Sequence, residues 1–562
     1  MRIKKLILLI PIFLAVTLIF TALSPVSALP EETIRVWVSY QKGKRAEISA
    51  TLNQAQARTH YDFPELDTYV VSLPMTALKG IMNNPFVIEV EADPIRRPIE
   101  PEKMDFDLTV EDTVDINGQI IPWGIDAVQA RDVWDLDRDT EVDTDAPTGA
   151  GIKVCIIDTG YFDLHEDLKD EADGGVSGMS QVDDDWLRDG GAHGSHVAGT
   201  ISALNNALGV VGVSPGEVDL HIVKIFDDDG LWVTQGHASD LTAAILDCAD
   251  NGANVISMSL SGTGDSKKEQ EAFDSLYAAG ILHVAAAGNH QLETPGELHY
   301  PASYDSVIAV AAIDPDLMVA DFSAQNLPVE LSGPGVNVLS TIPAWEQNTV
   351  SVGSEEYSVN HVEFAAFGSA IGNLVDGSLC LTTGEWTGAV VLCSRGDNSF
   401  YEKVMNVQNS GGIAAIIYNN VVNEDLFATL GEGNSADIVA VSTTMEKGLA
   451  MLSDVGSTAT VLSEMLETPL NGYEAWGGTS MATPHVAGVA ALVWSANPDW
   501  TNVELREAMN TTALDLGNYG RDMAYGYGLV QAADALDYLI NGPTPEQPYK
   551  NFIPFLIGVQ TD

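Results

Sequence analysis

Three polar residues stand at the ends of apolar segments, where folding alone does not ask for them. Asp158 closes the run VCIID and is followed by Thr159 and Gly160, a sharp exit from a buried strand. His193 opens HGSHVAGT, whose small residues Gly194, Ala198 and Gly199 suit a closely packed helix start. Ser480 lies in GGTSMATPHVAG, Gly477 to Gly488, at the head of an apolar run that suits a buried helix. A serine hydroxyl is a weak nucleophile until a base takes its proton, and neutral imidazole is the usual base near pH 7. A carboxylate fixes the imidazole tautomer and stabilises the imidazolium that forms. Asp158, His193 and Ser480 therefore have the residue types for acyl transfer. Asn289, in AAAGN after an apolar strand, adds a side-chain amide that can hold a developing oxyanion together with the backbone N–H of Ser480. Each residue alone also has an ordinary reading. Asp158 and Asn289 suit turns, Ser480 suits a helix cap, and His193 with His196 suits a metal pair, although the HExxH spacing of zinc hydrolases is missing.

Together, IIDTG, HGSHVAGT, AAAGN and GGTSMATPHVAG resemble the motifs of the subtilisin-like serine proteases, peptidase family S8, in the order that family uses. The resemblance covers residues 119–343 and 471–538. It implies an α/β, subtilisin-like three-layer fold with a mostly parallel sheet. It also implies a triad of Asp158, His193 and Ser480, with Asn289 as oxyanion donor. The implied function is a secreted serine endopeptidase, made as a zymogen, that hydrolyses peptide bonds through an acyl-enzyme on Ser480. The alternative is a catalytically silent binding protein acting through an inserted domain. In this family an extended protein or peptide substrate pairs with edge strands. The matching segments are Ser259, Leu260, Ser261, Gly262 and Ala286, Ala287, Gly288; a plain buried strand is the other reading of the first. His299 stands before YP where relatives often carry a small residue, which leaves the side-chain preference of the pocket open. The stretch LNNALGVVG, Leu204 to Gly212, is similar to the family's calcium loop. The ligands implied are the side chains of Asn206, Asp167 and Gln119 and the carbonyls of Leu204, Leu208 and Val210. Oxygen donors suit Ca2+ and not zinc; without an ion this is an Asn-rich turn. No organic cofactor is implied.

The elements that must position these residues are legible as texture. The runs IKVCIID, HIVKIF, NVISMSL, ILHVAAAGN and VIAVAAI alternate with helix-length segments, which predicts a parallel sheet covered on both faces. Functional side chains collect at the carboxyl ends of such strands. The pattern stops near GVNVLSTIP and resumes at NGYEAWGG, so 119–343 and 471–540 read as two parts of one catalytic domain. Residues 344–470 between them read as an inserted, mostly-β domain. GAVVLCSRG and GGIAAIIYNN within it resemble a protease-associated domain. Residues 33–97 read as a small α+β unit with strands TIRVWVSY, TYVVSLP and FVIEVEAD. This unit resembles the inhibitory propeptide of these proteases, an intramolecular partner; a permanent accessory domain is the other reading. Residues 98–118 are acidic and without periodicity, which predicts an exposed linker; the propeptide resemblance implies that the maturation cut lies in it.

Arg2, Lys4 and Lys5 precede the apolar run LILLIPIFLAVTLIF and the small-residue stretch VSA. That pattern reads as a signal peptide over 1–28, an uncleaved anchor being the alternative. It places the product outside the cell. In the 562-residue chain, 26 basic against 80 acidic residues give a net charge of -54, which argues against nucleic acid as partner. With four cysteines this is no disulfide scaffold. Cys155 and Cys248, each in an apolar segment, read as buried thiols. Cys380 and Cys393 are near enough in sequence to close a loop, and export permits that bridge. The Pro-rich tail, 541–562, reads as a processed extension or a cell-surface contact.

Overall fold

The structure, a computed structural model, describes residues 33–543 apart from 100, 105–112, 116, 172–173, 183–184, 227–235, 344–345, 354, 423–425, 432–433 and 466–471. The signal segment, the middle of the acidic linker and most of the tail lie outside the described residues. Two compact units result, Met1–Asp93 and Pro94–Asp562. The boundary falls short of the expected 97, because Ile95–Pro98 pairs with strands of the second unit.

In the first unit, strands Thr33–Tyr40, Arg58–Phe63, Thr68–Pro74 and Val87–Ala92 form an antiparallel sheet, joined through helices Arg45–Gln54 and Met75–Met82. Val36, Val38, Leu52, Val71 and Leu73 pack its core. Arg58–Phe63 extends the sequence reading. As an edge strand with mostly polar, partly exposed residues, it carries no apolar run to betray it.

The second unit is built on seven parallel strands in the order Val176–Ser180, Asp219–Lys224, Lys153–Asp158, Val255–Met258, Leu282–Ala286, Val307–Ile313 and Val329–Pro334. The strand Lys153–Asp158 is buried from Val154 onward, as a strand covered on both faces must be. Successive side chains point to opposite faces. Val154 and Ile156 join the core that includes Val197 and Ala487 of the helices His193–Ser202 and Thr479–Trp494. Cys155 faces the other way and is joined to Cys248 of the helix Ala238–Asp250, Cα to Cα 5.7 Å. These two cysteines are therefore a disulfide and not the free thiols expected. Their separation of 93 residues hid a juxtaposition that only strand-on-helix packing creates. Cys380 and Cys393 are likewise joined, with Cα atoms 5.6 Å apart.

Residues of the insert form one nine-stranded mixed sheet from Glu346–Val352 through Thr458–Met465, with helices Phe400–Asn409 and Met445–Ser453. Among the described residues no helix is long and apolar enough to cross a membrane.

His283, in the strand Leu282–Ala286, lies wholly inside this unit, edge-on to Phe273 at 5.1 Å. Burial holds its pKa down to about 4. The unfolded chain therefore takes up a proton below about 6.5 that the folded chain refuses down to about 4. The resulting stability is whole above that window and is lost as pH falls through it, at about 1.4 kcal/mol per pH unit. Urea unfolding of His283→Gln beside wild type will show the wild type losing stability more steeply between those limits. Parallel slopes would contradict a neutral buried imidazole.

Candidate active site

Asp158 ends its strand at the carboxyl edge of the sheet, where the carboxylate Oδ1 accepts from Thr159 N at 2.8 Å and from His193 Nδ1 at 2.7 Å. Both side chains are buried. The helix His193–Ser202 starts hard against the strand exit: a Cβ on Gly194 would lie 2.0 Å from the carbonyl oxygen of Gly160. Only glycine permits that approach. A second buried carboxylate, not singled out by the sequence reading, braces the turn. Asp189 accepts from Thr159 Oγ1 and Ser195 N, each at 2.6 Å, and Thr159 Oγ1 accepts from Gly194 N. Burial raises its pKa.

His196, one turn on, is not directed at a metal. Its Nε2 lies 3.1 Å from two carbonyl oxygens, of Val338 and Glu474, so that nitrogen carries the hydrogen. Its ring stacks on Trp476 at 4.5 Å. Burial, then the neighbouring His193, holds its pKa to about 3.

Ser480 is the second residue of the helix Thr479–Trp494, which is buried along its whole length. Pro484 inside that helix has no N–H to give the carbonyl of Ser480. Ser259 Oγ donates to that carbonyl instead, at 2.8 Å, and so ties the serine to the strand the sequence marked for substrate. Ser480 Oγ lies 3.3 Å from the Ser259 carbonyl oxygen. The helix packs against the one headed by His193, and the strand leading into it, Tyr473–Gly477, places Trp476 with its ring 6.2 Å from that of His193. Asn289 Oδ1 accepts from Thr479 N at 2.9 Å and from Thr479 Oγ1 at 2.8 Å. With its oxygen held there, its amide nitrogen faces the helix start, where a Cβ on Gly478 would come within 3.1 Å. Thr479 is thus an orienting residue that the motif contained and the sequence reading passed over.

A groove runs beside Ser480, and the chain's own residues fill it. Ile95–Pro98 is an antiparallel strand between Leu260–Ser261 on one side and Gly236–His237 on the other. Gly262 borders it so closely that a Cβ there would lie 2.1 Å from Ile95 O. Ile99 is buried, and its carbonyl oxygen lies 3.5 Å from Ser480 Oγ. Beyond the serine, Glu102–Lys103 pairs with Trp476–Gly477. In the acidic stretch, Glu102–Lys103 is exposed as its sequence predicts but is paired strand, and Pro98 and Ile99 are buried, which the linker reading did not expect. Extended chain needs no periodicity of its own when a groove supplies its hydrogen-bond partners. Of the second predicted segment, Ala286 ends its strand, Ala287 N donates to Val310 O, and Gly288 N donates to Thr479 Oγ1 at 3.3 Å. Gly288, at φ 111°, backs directly on the buried ring of His299, whose pKa burial lowers.

The six residues read as a calcium loop converge. The carbonyl oxygens of Leu204, Leu208 and Val210 lie 2.7, 2.7 and 2.9 Å from Gln119 Nε2, with Asn206 Oδ1 at 3.5 Å. Gln119 Oε1 and Asp167 Oδ1 are buried without a hydrogen-bond partner, and Asp167 Oδ2 accepts from Val210 N at 2.8 Å.

Acyl transfer to a nucleophilic serine is the chemistry this constellation supports, and the class it defines is the serine peptidases. Residues 149–528 match the subtilase family, peptidase S8, and the chain belongs to that family; it is a serine endopeptidase with the subtilisin-like α/β fold. It is 40% identical over 227 residues to subtilisin DY of Bacillus licheniformis, covering 40% of this chain and 76% of that one. It is 26% identical over 545 residues to subtilisin E of Bacillus subtilis, covering 95% and 100%. The solved structure of fervidolysin from Fervidobacterium pennivorans shares the fold, with TM-score 0.58 and 23% identity, covering 92% of this chain and 62% of that one.

Proposed function

We propose that this chain is a secreted, calcium-stabilised subtilisin-like endopeptidase made as a zymogen, whose Ser480 cleaves the bond after Ile99 in its own chain. The observation that carries this reading is the extended run through the groove, with the carbonyl of Ile99 at Ser480 Oγ. In the first step His193 Nε2 takes the proton of Ser480 Oγ while Oγ bonds to the carbonyl carbon. Asp158 holds Nδ1–H and so makes Nε2 the accepting nitrogen. The negative charge moves to the carbonyl oxygen, where the Asn289 amide and Ser480 N donate. Collapse of that intermediate breaks the C–N bond, and His193 returns its proton to the leaving amine. A water molecule then repeats the sequence on the acyl-enzyme.

The N-terminal unit is read as the propeptide, and the apolar leader with two disulfides suits export. The insert is read as a protease-associated domain that governs access. In support, Arg188, next to Asp189 of the catalytic turn, lies over the ring of Phe427 of the insert at 4.0 Å.

The calcium loop fits its ion. Three carbonyls and one side-chain oxygen already surround one point, and two buried oxygens await a partner. A turn of the Gln119 amide, whose O and N differ only by assignment, would complete an all-oxygen set for Ca2+. Bound there, the ion would neutralise Asp167 and fix the loop. At 100 times its dissociation constant it adds about 2.7 kcal/mol, so chelation will lower Tm by several degrees in wild type and not in Asp167→Ala. Equal melting with and without chelator would remove the ion from this account.

Intact mass of the secreted wild type beside Ser480→Ala tests the whole reading. Wild type ending its N-terminal loss at Ile99, with the variant uncut, is the expected pair. If both keep the N-terminal unit, self-cleavage is wrong.

A further inference from the structure

In the groove, Arg96 is enclosed: it stands three residues before Ile99, yet its side chain has no exposed surface. The guanidinium meets Glu269, also fully enclosed, through both carboxylate oxygens, with Nε 3.0 Å from Oε1 and Nη2 on Oε2. Glu269 lies in the first turn of the helix Lys267–Ala278. Its carboxylate is held in place from behind: Tyr304 Oη donates to Oε2 at 2.7 Å, and Ser266 N donates to Tyr304 Oη at 3.0 Å. These partners belong to the body of the enzyme and stay when residues 33–99 leave.

We propose that Glu269 and Tyr304 form a guanidinium-binding subsite, so that the mature enzyme selects substrates with arginine three residues before the residue whose carbonyl is attacked. This rests on the reading that Ile95–Ile99 lies in the groove as a substrate does. Once the zymogen segment departs, Glu269 is a carboxylate at the bottom of a pocket shaped around a planar fork. A substrate with arginine there restores two charge-assisted hydrogen bonds. One with leucine covers the carboxylate and takes the guanidinium from it, and one with glutamate adds a second negative charge beside it. Lysine supplies the charge without the fork and ranks between arginine and leucine. The subsite also gives Arg96 a purpose in the zymogen: it anchors the segment so that Ile99 meets Ser480 in register.

The test uses processed wild-type enzyme and internally quenched peptides of the sequence Ile-Xaa-Arg-Pro-Ile-Glu, with Xaa arginine, lysine, leucine or glutamate, and reads kcat/KM. Arginine over leucine by about 10²-fold is expected, the scale of removing one partner of an enclosed charge pair. In Glu269→Gln that ratio is expected to collapse, with glutamate gaining relative to arginine. If wild type cleaves the arginine and leucine peptides equally, the subsite is wrong and the protease stands. Should wild type digest casein but leave every peptide uncut, the substrate-like reading of Ile95–Ile99 falls with it. The wild-type panel decides the matter even if Glu269→Gln fails to fold.

Discussion

His193→Ala will process its own chain about 10⁶-fold more slowly than wild type, a figure known from subtilisin and not calculated from these distances. The reason is local. Ser480 Oγ carries its proton at neutral pH, and in the proposed mechanism the imidazole of His193 receives it as the hydroxyl leaves the carbonyl oxygens of Ile99 and Ser259 that it meets here. Without that base the hydroxyl has to attack as a neutral alcohol. The amine would also have to leave without a proton donor. Adding Ser480→Ala to His193→Ala will cost almost nothing more, because the two residues act as one unit. The measurement is the first-order rate at which the full-length chain shortens, followed by intact mass. A His193→Ala chain that still matures within tenfold of wild type would put the base elsewhere.

Asp158→Asn will slow the same reaction by about 10⁴-fold while leaving the fold intact. Asp158 Oδ1 now accepts from His193 Nδ1 at 2.7 Å and from Thr159 N at 2.8 Å. Both bonds fall on one oxygen. With the asparagine oxygen in that place the tautomer survives and the negative charge that stabilises the imidazolium is lost; with the NH2 group there, Nδ1 must accept and the hydrogen moves to Nε2, the atom that has to take the proton of Ser480. Unchanged thermal melting together with the slow rate distinguishes this from unfolding. A loss of less than tenfold would show that tautomer and charge at His193 are set by other groups.

The parallel sheet was legible because its strands are buried on both faces and so read as unbroken apolar runs such as VCIID and VIAVAAI, separated by helix-length segments. The groove strand was not legible. Ile95–Pro98 has no alternation, and its partners Gly236–His237 and Leu260–Ser261 lie far along the chain. Glu269 offered even less signal, since a glutamate near a helix start is ordinary on electrostatic grounds. Only the arrival of Arg96 makes it unusual. The same holds for Cys155 and Cys248, each of which looks like a small apolar residue until the other is seen beside it.

By itself, then, the sequence determined which residue types end which elements: an aspartate after a buried strand, a histidine and a serine at helix heads, an asparagine after a strand. Those follow from short-range rules of burial period, caps and glycine spacing. The tertiary structure alone decided the hydrogen bond from His193 to Asp158, the alignment of Asn289 by Thr479, the bridging of Cys155 to Cys248 and the pairing of residues 95–98 and 102–103 on either side of Ser480. These are pairings between distant parts of the chain, and a local pattern records that a residue will be buried but not what will be buried against it.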